Sequence, residues 1–334
     1  MTAAGWLLTP LSVLYGVVIQ VRNFYYDHAL RAVRRASIPV ISIGNLTVGG
    51  TGKTPLVIEV VRRLVALGRR PAILTRGYKA APGQTADEVL EIHAALPVVP
   101  VVVNPDRVAG AETAQREHQA DCLVLDDGFQ HRRLARDLNI VLIDALQPWG
   151  DGWVLPAGRL REPLSNLRRA DIFVITRANQ VEPGAVESIA AELRRRAGAS
   201  PIVYAAIEAE ALIGRDERRT APAELAGRHV LPVCGIGNPG AFERLVSALT
   251  GRPCVALVFN DHHDYSAVDV DAVVAAARKV GADQVVTTRK DWVKLAPLWS
   301  DSQIGLARLE VALILQRSAE EFDALLRQAL EKQR

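Results

Sequence analysis

Cysteine is scarce in this chain. Cys122, Cys234 and Cys254 are the three among 334 residues, and they share no zinc or redox spacing. That excludes a disulfide-stapled scaffold and a thiolate metal site. Cys122 and Cys234 sit in apolar runs that read as strands, so small buried thiols in a reducing compartment are expected. An excess of one charge is also lacking: 40 basic residues face 37 acidic ones, a net +3. Nothing in that balance calls for nucleic acid, and none is expected as a partner. Long apolar runs are missing too. The stretch 6–21 is interrupted by Thr9, Pro10, Ser12 and Gln20 and falls short of the roughly 20 residues a spanning helix needs. No basic residue precedes it and no small-residue cleavage site follows, so it does not read as a signal peptide. Internal repeats and low-complexity segments are absent as well.

What is present is a globular composition, 49% hydrophobic and 23% charged, long enough for two domains. Short apolar runs at 39–44, 71–75, 122–125, 139–143, 171–176 and 201–205 read as strands. Helical segments stand between them, at 54–67 and 182–197. Continuous apolar strands alternating with helices imply a parallel sheet covered on both faces. The pattern weakens into polar sequence over 206–228, the expected linker. A second, smaller α/β unit is expected over 229–334, with strands at 230–234, 254–259, 284–288 and 306–313. Its helices are expected at 239–249, 269–280 and 319–331. The fold class is therefore α/β: a P-loop NTPase-like parallel sheet domain over 39–205 and a smaller α/β domain.

Residues 1–38 read differently. Thr9-Pro10 suits an N-cap and first helical residue, opening a helix that runs toward Arg35. Its second half gathers Arg22, Arg31, Arg34 and Arg35 against Asp27, with Trp6, Tyr15, Tyr25 and Tyr26 alongside. An apolar helix running into basic and aromatic residues suits an anionic membrane interface.

The chemistry is concentrated in one segment. Thr47-Val48-Gly49-Gly50-Thr51-Gly52-Lys53-Thr54 lies between an expected strand and an expected helix, the setting of a phosphate-binding loop. Its glycines let backbone N–H groups face phosphate oxygens, and the helix N-terminus adds positive potential. Lys53 is expected to reach the β- and γ-phosphates, and the Thr54 hydroxyl to bind Mg²⁺. Thr47 departs from the general pattern, which has glycine there. Leu123-Val124-Leu125-Asp126-Asp127 ends an apolar strand in two carboxylates, the acidic metal partner such a loop requires. The stretch Thr176-Arg177-Ala178-Asn179 lacks the aspartate that guanine-specific loops carry, which favours ATP.

Taken together, Gly49-Gly50-Thr51-Gly52-Lys53-Thr54, Thr75-Arg76-Gly77-Tyr78, Asp87-Glu88, Asp106-Arg107 and Asp126-Asp127-Gly128-Phe129-Gln130-His131 resemble the tetraacyldisaccharide 4'-kinases. Pro156-Ala157-Gly158-Arg159-Leu160-Arg161-Glu162-Pro163, Asp261-His262 and Lys290-Asp291 continue the match in order, nearly to the end of the chain. These enzymes phosphorylate the lipid A disaccharide precursor of Gram-negative bacteria. The resemblance implies ATP and Mg²⁺, a lipid disaccharide substrate, and a monomer at the cytoplasmic face of the inner membrane. It implies Asp87 as general base toward the sugar hydroxyl and His262 as its partner from the second domain. Asp126 and Asp127 are the implied metal-site acids. Gln130 and His131 fall just beyond them, and Arg107, Arg159, Arg161 and Tyr78 are implied substrate contacts. His263 reads as exposed.

One position departs from the family pattern. Where Thr-Glu-Lys-Asp is usual, this chain has Thr288-Arg289-Lys290-Asp291. Two other readings share the phosphate loop: an ATP-dependent ligase or synthetase, and a membrane-associated nucleotide switch. Neither a soluble ligase nor a synthetase needs the apolar N-terminal helix, and a switch predicts slow ATP hydrolysis without a phosphorylated product.

Overall fold

The structure is a computed structural model that describes residues 3–77, 87–301 and 303–332, the side chains of 3–7 and 87 apart. In chain order it runs α1 (Ala3–Asp27), β1 (Val40–Asn45), α2 (Lys53–Ala66), β2 (Pro71–Thr75), α3 (Asp87–Ala95), β3 (Val101–Val103), α4 (Arg107–His118), β4 (Cys122–Leu125), β5 (Leu138–Asp144) and β6 (Ile172–Thr176). There follow α5 (Pro183–Ala197), β7 (Ile202–Gly214), β8 (Arg219–Thr220), β9 (Val230–Cys234), α6 (Pro239–Thr250), β10 (Leu257–Val258), α7 (Ala267–Lys279), β11 (Gln284–Thr288), α8 (Arg289–Leu295), β12 (Gly305–Arg317) and α9 (Ala319–Glu331).

The chain forms two compact units, one of residues 1–206 with 313–334 and one of 207–312. In the first, parallel strands lie in the order β7-β6-β5-β1-β4-β2-β3. Its central strands β1, β4 and β5 are buried at every residue, as expected of a parallel sheet covered on both faces. Central β1 pairs with β4 on one side and β5 on the other. The segments that follow β1 and β4 therefore emerge side by side at the carboxyl edge, where open parallel sheets bind ligands. In the second unit β10-β9-β11-β12 are parallel, and β8 pairs antiparallel with the end of β7.

The expected boundaries need correction. Residues 206–228 are not a linker, since β7 continues through Gly214 and turns back into β8. Its exposed Glu208 and Glu210 alternate with more buried neighbours, a period-two pattern that the two acids disguise as loop. The closing helix α9 belongs to the first unit, where Asp323 pairs with Arg63 at 2.5 Å. The strand expected at 254–259 is only two residues long.

Helix α1 also differs from expectation. It begins before Pro10 and keeps that proline inside, although a proline there removes one hydrogen bond. It stops at Asp27 instead of running to Arg35. Ala29 takes a left-handed φ of 55°, and the Leu30 and Arg31 N–H groups close on the Tyr25 carbonyl at 2.8 and 3.2 Å, a helix-ending turn.

Cys122 and Cys234 are buried and free, and burial pushes both thiols up to about 12. They act as small hydrophobes, as the sequence suggested.

Candidate functional site

The phosphate loop leaves β1 at Asn45 and enters α2 at Lys53. Gly49 and Gly52 hold φ of 111° and 88°, conformations open to glycine and strained for other residues. Thr47 does not take such a conformation. It bridges to Leu160, and the next N–H, of Val48, donates to the Arg159 carbonyl at 2.8 Å. The loop thus starts as a short strand against the 156–163 segment, which explains why glycine is dispensable at position 47.

Asn45 is fully buried and fastens both halves of the loop. Its amide donates to the Thr47 carbonyl at 2.8 Å and to the Thr51 hydroxyl at 3.0 Å. Its carbonyl oxygen accepts from Lys53 Nζ at 3.3 Å, and its backbone carbonyl accepts from Gln130 Nε2 at 2.9 Å. Gly44 beside it admits the neighbouring turn: a Cβ there would lie 2.7 Å from Phe129. Sequence reasoning passed over Asn45, whose only signal is a polar residue ending an apolar run.

The two aspartates after β4 behave differently. Asp127, at a left-handed φ of 53°, turns its carboxylate to Lys53 Nζ at 3.5 Å and Arg161 Nη1 at 2.6 Å. Burial alone pushes its pKa up, but those two cations outweigh it and hold the carboxyl below its usual range. Asp126 is buried, with burial first and then Glu88 and Asp127 raising its pKa to about 7 against Lys53 and Arg107. Among the described residues its Oδ1 has no hydrogen-bond partner, while Oδ2 has a long 3.5 Å contact from the Thr75 hydroxyl. An unpartnered buried carboxylate oxygen fits a hard cation, which takes one or two protein carboxylates and completes its shell with water and phosphate.

Around these acids lie other polar atoms without a partner among the described residues. Arg107 is buried, donates to the Asn104 carbonyl at 2.5 Å, and leaves Nε unpartnered. Burial lowers its pKa despite the nearby Asp126 and Asp127. His131 Nε2 and Gln130 Oε1 are likewise buried without partners. Burial, then Arg107, Arg136 and Arg133, pull the His131 pKa down to about 4, so the ring is neutral near pH 7. Arg159 is engaged elsewhere, donating to Gln147 Oε1 at 2.6 Å. Asp87 opens α3, its side chain outside the described residues, and Tyr78 lies outside them altogether.

The second unit holds its own cluster. His262 takes a left-handed φ of 67°, and its Nε2 lies 3.2 Å from Lys290 Nζ, which pairs with Asp261 at 3.0 Å. His263 is not simply exposed: it stacks on Phe259 at 4.8 Å and approaches Asp269 at 3.3 Å. Asp291 is buried and structural, accepting from the Gly235 N–H at 3.0 Å, the Tyr265 hydroxyl at 3.1 Å and the Thr288 hydroxyl at 2.6 Å. The departure at Arg289 also finds its reason, an ion pair with the buried Glu310.

Helix α1 presents two faces. Toward the first unit, the Ser12 hydroxyl accepts from the Ala157 N–H at 2.8 Å, and the Tyr15 hydroxyl donates to the Arg161 carbonyl at 3.0 Å. Asn23 donates to Glu162 Oε2 at 3.0 Å, and Arg22 donates to the Gln130 carbonyl at 2.6 Å. Leu11, Leu14, Val17, Val18, Val21 and Phe24 are each at least half exposed on the rest of the helix. Among the described residues no helix is long and apolar enough to cross a membrane.

A glycine-rich loop after a central parallel strand, with a lysine and a helix N-terminus behind it and acids ending the neighbouring strand, defines a P-loop nucleotide-binding protein. The sequence profile of the tetraacyldisaccharide-1-P 4'-kinases matches residues 4–331, and the chain belongs to that family. A tetraacyldisaccharide 4'-kinase of Anaeromyxobacter sp. (strain Fw109-5) is 39% identical over 328 residues, 92% of this chain and 88% of its own. One from Geobacter metallireducens is 39% identical over 326 residues, covering 92% of this chain and 94% of its own. Among solved structures, LpxK from Aquifex aeolicus in complex with ATP superposes with a TM-score of 0.73 at 31% identity, covering 98% of this chain and 99% of its own. The family is one of kinases, and the ligase and switch readings find no support in these matches.

Proposed function

We propose that the chain transfers the γ-phosphate of ATP to the 4'-hydroxyl of the tetraacyldisaccharide 1-phosphate precursor of lipid A. The observation that carries this reading is the unpartnered Oδ1 of Asp126 beside the Lys53–Asp127–Arg161 cluster, in a chain matched by the family along its length.

Backbone N–H groups of residues 49–54 hold the phosphates, and Lys53 offsets charge on the β- and γ-phosphoryl oxygens. Thr54, Asp126 and Asp127 would hold Mg²⁺, which would supply Lewis-acid stabilisation of phosphoryl charge. Asp87 accepts the proton of the 4'-hydroxyl as its oxygen bonds to phosphorus and the bond to the ADP oxygen breaks. His262 tunes or orients that base. Arg107 and Arg161 meet phosphoryl or substrate charge. Gln130 and His131 act near the phosphates or the sugar and Tyr78 contacts the disaccharide, while Arg159, to meet substrate or phosphoryl charge, would have to leave Gln147.

The exposed apolar face of α1, followed by its arginines, docks on the anionic cytoplasmic face of the inner membrane, where the lipid substrate resides. The protein acts there as a monomer. Vesicle co-sedimentation of a Leu14→Glu/Val18→Glu variant checks the docking, with weaker membrane binding and unchanged ATP affinity expected. The decisive experiment for the reaction supplies γ-labelled ATP, Mg²⁺ and the lipid acceptor in detergent. Label in the extracted disaccharide is the expected result, and label only in free phosphate would overturn the assignment.

A further inference from the structure

Two consecutive carbonyls of the phosphate loop are held by side chains from the end of β6. Arg177 Nη2 donates to the Gly50 carbonyl at 2.8 Å, and the Thr176 hydroxyl donates to the Thr51 carbonyl at 2.9 Å. Because a trans peptide is planar, its C=O and its N–H point in opposite directions. Drawing the Gly50 and Thr51 carbonyls toward β6 turns the N–H groups of Thr51 and Gly52 the other way. Those N–H groups are among the donors a phosphate loop offers to phosphate oxygens.

The clamp is itself braced. Arg177 Nη1 pairs with Asp144 Oδ2 at 2.5 Å, and Asp144 Oδ1 accepts from the Leu146 N–H at 3.1 Å. Asp144 ends β5 directly beside Thr176 in the sheet register, and Thr176, Asp144 and Arg177 are all buried. Arg177 holds a left-handed φ of 56°, which costs an L-residue about 1 kcal/mol or more. A buried ion pair seldom stabilises a fold better than apolar residues of the same size. Neither the strained backbone nor the buried pair is explained by stability; both are explained by the grip on the loop.

We propose that Thr176, Arg177 and Asp144 are positioning residues that preset the phosphate loop for a nucleotide's β- and γ-phosphates and do not read its base. The inference rests on the phosphate-binding role assigned to residues 49–54. It follows from distances within one unit and concerns a stretch that, read as sequence, is informative only about the base.

The test uses the full chain with Mg²⁺ and inorganic pyrophosphate as a base-free competitive inhibitor against ATP. Three variants are compared: Thr176→Val, Arg177→Lys, and Arg177→Met/Asp144→Leu, which removes the pair without stranding a buried charge. In the double variant, pyrophosphate and ATP affinity are expected to fall together, by roughly tenfold, with the ATP-to-GTP preference unchanged. Thr176→Val is expected to show a smaller loss of the same kind, and Arg177→Lys a partial recovery. Lys53→Ala serves as the control for the loop. If Lys53→Ala abolishes transfer while the folded double variant binds pyrophosphate normally, the clamp is wrong and the loop assignment stands. A change in base preference with pyrophosphate affinity intact would also overturn it, making Arg177 a base reader.

Discussion

Nη1 of Arg161 lies 2.6 and 2.8 Å from the two carboxylate oxygens of Asp127. The backbone carbonyl of the same arginine accepts from the Tyr15 hydroxyl of α1. One residue therefore joins the N-terminal helix to the acidic centre. Replacing Arg161 by Met leaves Asp127 with the more distant Lys53, at 3.5 Å, and removes positive charge from the phosphoryl site. Transfer is expected to fall roughly a hundredfold, with Arg161→Lys intermediate. Steady-state kinetics of purified variants decides it, and an unchanged kcat would remove Arg161 from the site.

Lys53→Ala is expected to remove most transfer, on the order of 10² to 10³ in kcat, because it removes the cation that opens α2 at the end of the loop. The core of α2 is formed by Leu56, Val57, Val60, Val61 and Leu64, so the melting temperature should stay within a few degrees. Full activity with normal ATP affinity would falsify the phosphate-loop assignment.

Asp87→Ala and His262→Ala are each expected to lower kcat far more than they raise KM for ATP. If the two act as one unit, the double variant is little worse than Asp87→Ala alone. Fully multiplicative losses mean independent roles, and near-normal turnover in either single variant removes that residue from catalysis.

His131 provides a pH signature. Its folded-state pKa of about 4 lies below the ordinary 6.5, so between these values the unfolded chain takes up the proton more readily. Its contribution to stability is complete above about pH 6.5 and is lost progressively as pH falls toward 4. With allowance for solvent screening, the loss is on the order of 1–2 kcal/mol. Denaturant melts of wild type and His131→Gln between pH 7.5 and 5 measure it. The variant's curve should be flatter, and parallel curves would refute the reading.

Glu162 is fully buried, and its Oε2 accepts from Asn23 at 3.0 Å, Asn166 at 2.8 Å and Arg169 at 2.5 Å. Glu162→Ala strands the Arg169 guanidinium and loosens α1, at a cost of about 3–5 kcal/mol. Chemical denaturation should show that loss even when ATP is absent. A change below about 1 kcal/mol would mean that water or another carboxylate replaces Glu162.

The sequence by itself determined the parallel α/β class, the phosphate loop, the acidic end of β4 and an apolar N-terminal helix. Each is a local signal: an apolar run, a glycine spacing, or a charge beside a strand terminus. Tertiary structure alone decided what lies around them. Asn45 became the fastener of the loop because the carboxyl end of β1, paired there with β5, is buried. Arg177 gripped Gly50 across 127 positions of chain, and no periodicity records such a contact. Thr47 escaped the need for glycine by bridging to Leu160. Glu208 and Glu210 concealed the continuation of β7, since charge on one exposed face outweighs a short alternating pattern when strands are read one at a time. Strand pairing, buried ion pairs and the faces of α1 depend on which segments meet, and only packing of the whole chain settles that.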